Sequence, residues 1–310
     1  MSETDLITRL TAGLHVEDSV VIGSGDDCAV IDLGMTGDYC LFKTDAIVEG
    51  IHFTPNTSAE MIGRKAIARP FSDIAAMGGS PTHALITLGL PDEYCENHIA
   101  AIYEGAKAIS AEHKTSIVGG ETTRSKQLWL SISVIGKVDR EHCITRTGSM
   151  TGDAIFVTGE LGGSLTGKHL DFEPRIPEAR WLAQEFHIHA MIDLSDGLAT
   201  DLGHLLGKKL GAELLTTAIP VSHAAKLRAK KNPLGKTALL AALTDGEDYE
   251  LLFTLPAENA VKLHDAWKKM FPDLPLKCIG KITSERGIIL RDEKGIHPLN
   301  AHGYDHLQKS

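Results

Sequence analysis

The sequence predicts an α/β protein of two domains, and three observations lead there. The chain has 310 residues, enough for two compact domains at roughly 150 residues each. Apolar positions switch between helical and strand spacing along its whole length. Gly, Asp and Pro stand between these stretches, where turns are needed.

In order, Leu6, Ile7, Leu10 and Leu14 repeat at helical spacing behind Ser2 and Thr4. Strand-like runs follow at 20–22, 28–33 and 39–42. A helix at 59–77 rests on Met61, Ile62, Ile67, Ile74 and Ala75, with a kink expected at Pro70 because its ring removes a donor. A strand at 84–88 comes next, then a helix at 96–113 carrying Ile99, Ile102 and Ile109, then strands at 116–118 and 128–135. Between Lys137 and Thr151 the chain turns polar, which sets the expected boundary between domains 1–147 and 148–310. The second half reads as strands at 154–158, 190–193, 213–215, 249–255 and 277–282, with helices at 177–186, 198–210 and 257–270.

A composition of 43% hydrophobic and 23% charged residues is that of a globular chain and excludes disulfide mini-proteins and disordered tails. The net charge of −10, with no block of Lys or Arg, argues against a nucleic-acid partner. A small anionic ligand would need metal ions as bridges. The five Cys (Cys28, Cys40, Cys95, Cys143 and Cys278) show no CxxC or zinc-type pairing, which fits reduced thiols. Residues 1–10 include Glu3 and Asp5 and lack the pattern of a signal peptide. No apolar run approaches the roughly 20 residues of a membrane span. A cytoplasmic protein without membrane contact is expected.

Three familiar motifs fail on inspection. GGSLTGK at 162–168 approaches the phosphate loop GxxxxGK[ST], but His169 stands where the Mg²⁺-holding hydroxyl belongs and Pro174 leaves no room for a long helix. Gly23 and Gly25 begin a GxGxxG, yet Cys28 takes the third glycine position. Ser195 lies between Leu194 and Asp196 and not in GxSxG. What remains is a set of acidic residues expected at loops and strand ends: Asp26, Asp27, Asp45, Asp73, Glu121, Asp193, Asp196, Glu247 and Asp248. Each alone reads as a cap or turn residue. Together, beside small residues, they offer carboxylate oxygens near bare amides, the donors that Mg²⁺ and phosphate require.

Seven segments carry a resemblance: GDDCAVI from Gly25, KTDAIVEGIHF from Lys43, FSDIAAMGGSP from Phe71, VGGETTR from Val118, TRTG from Thr145, IDLSDGL from Ile192 and GEDYELLF from Gly246. In this order they resemble the thiamine-monophosphate kinase family, from about residue 20 to Tyr304. The resemblance implies two α/β domains with mixed sheets of α+β type, like those of aminoimidazole ribonucleotide synthetase. It implies an N-terminal domain for Mg-ATP binding and homodimerisation, and a C-terminal domain completing the nucleotide and substrate site. The implied reaction is ATP plus thiamine monophosphate giving ADP plus thiamine diphosphate.

Carried over by residue, the implied Mg²⁺ ligands are Asp27, Thr44, Asp45, Asp73, Glu121, Asp193 and Asp196, with Asp45, Asp73 and Asp196 at the chemistry. Implied nucleotide contacts are Gly120, Glu121, Arg146 and Ser195, and substrate contacts are His52, Glu247 and Tyr304. This chain departs from the family at Glu121, where Asp is usual, at Lys43, where a small residue is usual, and at Pro70, where Asn is usual. The stretch 162–174 is also short. Related enzymes fit less well. Selenophosphate synthetase needs a reactive Cys before GDD, whereas the first here is Cys28. The hydrogenase-maturation dehydratase ends in Cys, whereas this sequence ends in Ser310, and aminoimidazole ribonucleotide synthetase would show GVGTK near FKTDAIVEG. A non-catalytic Mg-nucleotide binding protein of the same fold is the alternative, motivated by Glu121 and Lys43.

Overall fold

The computed structural model describes residues 3–299. Its first elements are α1 (Glu3–Thr11), β1 (Val20–Ile22), β2 (Ala29–Ile31), β3 (Asp38–Val48), α2 (Ala59–Ala76), β4 (Ser80–Leu90), α3 (Glu96–Glu112), β5 (Ser116–Arg124) and β6 (Trp129–Asp139). They continue as β7 (Ala154–Thr158), α4 (Ile176–Glu185), β8 (Ala190–Asp193), α5 (Leu198–Leu206), β9 (Gly211–Leu215), α6 (His223–Lys231) and α7 (Ala238–Thr244). The last are β10 (Leu251–Leu255), α8 (Ala260–Met270), β11 (Leu276–Thr283), β12 (Gly287–Asp292) and β13 (Gly295–Pro298). Two compact bodies result, one of residues 19–143 with 169–180, the other of residues 3–18, 144–168 and 181–299.

The first body is built on a mixed sheet of order β1-β2-β3-β6-β4-β5, parallel only between β4 and β5. Side chains alternate along β6, and the buried set of Leu130, Ile132 and Val134 joins Leu41 and Ile86 in the core. α2 packs on β3, β4 and β6 and against α3. Ser58 caps α2 by accepting from Met61 N at 3.3 Å, and the helix runs through Pro70 unbroken. The opposite face leaves Phe42, Leu85, Val118 and Ile135 exposed.

The second body has a mixed sheet of order β13-β12-β9-β11-β7-β10-β8, parallel only between β9 and β12. β7, β8 and β10 are buried along their whole length, which is why they read as continuous apolar runs. Ile155, Val157, Ile192 and Leu252 form the core with Leu198 and Leu202 of α5.

The contact division runs at 143/144, ahead of the 147/148 boundary read from composition. Met191 N donates to Thr145 O at 3.0 Å, which keeps that residue with the second body. Residues 169–180 belong to the first body because Arg64 of α2 holds them. Its Nε lies 2.9 Å from Asp171 Oδ1, and its other nitrogens donate to Phe172 O and pair with Glu173. Among the described residues no helix is long and apolar enough to cross a membrane.

Candidate active site

In the first body the strand alternation of β3 sends Lys43 and Asp45 to the side covered by α2, where Asp73 sits. Lys43 Nζ donates to Asp73 Oδ1 at 2.6 Å. Arg69, one helical turn before Asp73, places its NH2 3.7 Å from Asp45 Oδ1 and donates from NH1 to Ala46 O at 3.0 Å. Asp27, in the turn between β1 and β2, is 1% exposed, and its carboxylate comes within 4.8 Å of that of Asp73. Burial alone would push the Lys43 amine down, but the carboxylates of Asp73 and Asp45 more than offset it and hold the ammonium charged. Burial, then the Asp73 charge, pushes the Cys28 thiol well up, which disfavours its thiolate.

Thr44 belongs to the other face of β3, where its hydroxyl lies 3.4 Å from those of Ser131 and Ser133. Its side chain therefore does not join Asp45 and Asp73. His52 is half-buried, and its Nδ1 accepts from Val48 N at 3.1 Å, which leaves the ring proton on Nε2. Lys65 Nζ donates to the His52 carbonyl at 2.8 Å and fixes that turn.

Gly119, Gly120 and Glu121 lie inside β5, not in the loop expected from the two glycines. Likewise Asp45 and Asp73 stand within β3 and α2 and not at element ends. A Cβ at Gly120 would come 1.7 Å from Ile86 O, so β4 can approach only a glycine here. β5 is the last strand of its sheet, and Gly120 and Glu121 are exposed beside a cavity of about 580 Å³. Tyr103, Lys107, Ser110 and Thr115 also line it. The Glu121 carboxylate accepts from Thr122 N at 3.0 Å.

In the second body Asp193 ends β8, 2% exposed, and Ser195 and Asp196 follow in the turn into α5. Asp201, one turn into α5, accepts from Asp196 N and Gly197 N, each at 3.0 Å. That carboxylate holds the turn. Burial, with the charges of Asp196 and Asp193, pushes its own pKa well up. Asp196, Asp201 and His204 offer ligand atoms within 4.8 Å of one another. Arg146 of this body is half-buried; its charge adds to burial in lowering the pKa of His204.

Glu247 N donates to Ser195 O at 2.7 Å, and Asp248 N and Tyr249 N to Leu194 O at 3.1 and 2.8 Å, so 246–249 and 194–197 form one unit. Glu247 and Tyr249 take φ of 53° and 50°, a left-handed backbone that these hydrogen bonds impose on non-glycine residues. Tyr304 lies outside the described residues. Sequence reasoning missed Lys43 and Arg69 as partners of carboxylates, Tyr103 beside the cavity, and Asp201. Only Asp201 left a signal, as an Asp five residues after Asp196 in SDGLATD.

The segment 162–168 is occupied by the protein's own carboxylates. Gly162 N donates to Asp248 Oδ1 and Oδ2 at 2.9 and 3.0 Å, Gly163 N to Asp245 Oδ2 at 3.0 Å, and Lys168 Nζ to Glu250 Oε1 at 2.8 Å. It is no phosphate loop.

The chain is similar to known proteins. The family model for AIR synthase related protein, N-terminal domain, matches residues 25–138. The thiamine-monophosphate kinase of Rhodopirellula baltica is 39% identical over 87% of this chain and 85% of its own length. That of Haemophilus influenzae is 34% identical over 100% of this chain and 99% of its own. Among solved structures, AaThiL complexed with AMPPCP and TMP superposes with a TM-score of 0.81 at 29% identity, covering 99% of this chain and 97% of that one. Escherichia coli HypE, a hydrogenase maturation protein, shares the fold at 19% identity, with a TM-score of 0.72 over 96% of this chain and 98% of its own.

Proposed function

The chain belongs to the thiamine-monophosphate kinase family, and from that premise we infer that it transfers a phosphoryl group from ATP to thiamine monophosphate, giving ADP and thiamine diphosphate. The observation that carries the chemistry is the pair of buried carboxylates, Asp27 and Asp73, with oxygens within 4.8 Å. Like charges that close and that buried call for more positive charge than the Lys43 ammonium at Asp73 supplies alone. The all-oxygen donor set suits Mg²⁺. In the first body Asp27, Asp45, Asp73 and Glu121 would hold it, with Thr44 restricted to its backbone carbonyl; in the second body Asp193 and Asp196 are the carboxylates available to it. Bound Mg²⁺ would neutralise phosphate charge.

The acceptor is a phosphate monoester, mostly dianionic at pH 7 because its second pKa is about 6. No strong general base is needed. The obstacle is repulsion between two anions, and the residues act by positioning and neutralising them. Arg146 supplies a guanidinium fork for nucleotide phosphate, and Ser195 a hydroxyl donor. Gly120 and Glu121 receive the nucleotide at the open edge of β5, where the adjoining cavity has the volume of a small-molecule pocket. His52, Glu247 and Tyr304 address the thiamine end, a cation that suits the carboxylate of Glu247.

The exposed face with Phe42, Leu85, Val118 and Ile135 fits a homodimer through the first body. Leu85→Glu is expected to shift the protein to monomers in light scattering. The free cysteines and the ATP substrate fit the cytoplasm. Incubation with ATP, Mg²⁺ and thiamine monophosphate tests the reading. It predicts thiamine diphosphate and ADP in equal amounts; nucleotide binding by folded protein without product would overturn it in favour of a non-catalytic binder.

A further inference from the structure

The Lys43–Asp73 ion pair is built from parts of the fold that are 30 residues apart in sequence. Lys43 is brought to Asp73 by β3, a strand paired along its full length with β6, and Asp73 is fixed on the buried side of α2. The two side chains are only 22% and 10% exposed, so this is not a flexible surface contact. Arg69 repeats the arrangement at Asp45, with its own side chain 13% exposed. Within the first body the cluster includes the carboxylates Asp26, Asp27, Asp45 and Asp73 and the cations Lys43 and Arg69. Part of the negative charge is therefore neutralised within the chain.

We propose that the Lys43 ammonium is a resident cation of this cluster, taking the Asp73 oxygen that a divalent ion would otherwise bind. The proposal rests on the reading of these carboxylates as the kinase's metal site. A divalent ion must approach carboxylate oxygen to roughly 2.0–2.1 Å for Mg²⁺. Lys43 Nζ already lies 2.6 Å from Asp73 Oδ1 and repels a second cation at that atom. Lys43 is thus a positioning residue. It fixes which Asp73 oxygen remains for the metal and lowers the number or affinity of divalent ions the cluster holds. Its consequence is a site that keeps part of its charge neutralised when free Mg²⁺ is scarce.

Mn²⁺ binding without substrates, followed by the spin-resonance signal of free Mn²⁺, tests this in the wild type, Lys43→Met and Lys43→Arg. Lys43→Met is expected to bind one more ion, or to bind at least roughly tenfold more tightly, the change that about 1.4 kcal/mol represents. Lys43→Arg, which keeps the charge, is expected to titrate like the wild type. A Lys43→Met protein indistinguishable from wild type overturns the proposal. Failure of all three to bind Mn²⁺ overturns the metal-site reading itself, whereas loss of kinase turnover alone would leave the Mn²⁺ result standing. Should Lys43→Met not fold, acetic anhydride labelling of the wild-type protein decides. Lys43 is expected to stay far less reactive than Lys137, which is 59% exposed, even at saturating Mn²⁺. Equal reactivity of the two amines once Mn²⁺ is bound would show that the metal displaces Lys43.

Discussion

Two glycine pairs in this chain have opposite fates. Gly162 and Gly163 point their amides at Asp248 and Asp245, and the nearby Lys168 is taken by Glu250. Gly119 and Gly120 form a ladder with β4 on one side only and are exposed along the free edge of the sheet. The pair at 162–163 has nearly the spacing of a phosphate loop, yet it binds an internal anion. The pair at 119–120 has the composition of an ordinary turn, yet it is the one open to an external ligand. Glycine lets backbone come close to an anion, but the neighbouring charges decide whose anion it is.

Carboxylates in the two regions accordingly do different work. Asp73→Asn is expected to lower turnover by roughly a thousandfold, about 4 kcal/mol in the barrier, while the protein keeps its folded circular-dichroism spectrum and melts earlier because Lys43 loses its partner. Turnover close to wild type would break the assignment. Asp248→Ala should do the reverse. It strands the buried Gly162 N–H, which costs about 1–3 kcal/mol, while the KM for ATP holds. A thermal melt lowered by several degrees checks this, and a large rise in the KM for ATP would return 162–168 to the nucleotide.

Glu121 sharpens the comparison from the open side. Glu121→Gln is expected to slow turnover about tenfold or more at saturating Mg²⁺, roughly 1.4 kcal/mol, while Glu121→Asp keeps measurable activity. Unchanged kinetics in Glu121→Gln would remove this residue from the metal set. A further effect belongs to pH. Burial pushes the carboxyl of Asp248 up to about 7, above the roughly 3.9 of an unfolded Asp. Its folded form holds the proton longer, so its stabilising contribution is complete below about pH 4 and is lost as pH rises to about 7. Melting temperatures over that range should therefore fall less in Asp248→Asn than in the wild type.

The parts of the fold legible in the sequence are those with strong local signals. Strands 154–158 and 190–193 are found as expected, because both are buried runs of apolar residues. The helix expected at 59–77 spans Ala59–Ala76. The strand pattern of β5 stops at 118 because two glycines follow; its continuation to Arg124 depends on pairing with a strand some thirty residues earlier. That of β3 likewise stops at 42, since Lys43, Thr44 and Asp45 interrupt its apolar run. α6 and α7 carry little pattern: α6 is mostly basic with one buried residue, and α7 has seven residues. Their caps Ser222 and Thr237, which accept from Ala225 N and Leu240 N, are the available sign. The hairpin of β12 and β13 also escapes, although Lys294 and Gly295 mark its turn. The candidate site residues other than Tyr304 come from seven motifs, but ion pairs such as Lys43 with Asp73 have no local signature, being made by tertiary packing.

Backbone hydrogen exchange, measured with and without a non-hydrolysable ATP analogue and Mg²⁺, tests most directly which glycines serve the nucleotide. The account predicts slowed exchange in Ser116–Arg124 and in the lining of its cavity, with 159–168 unchanged because Gly162 and Gly163 already donate to the chain's own carboxylates. Protection appearing at 162–168 while β5 stays as it was would contradict it.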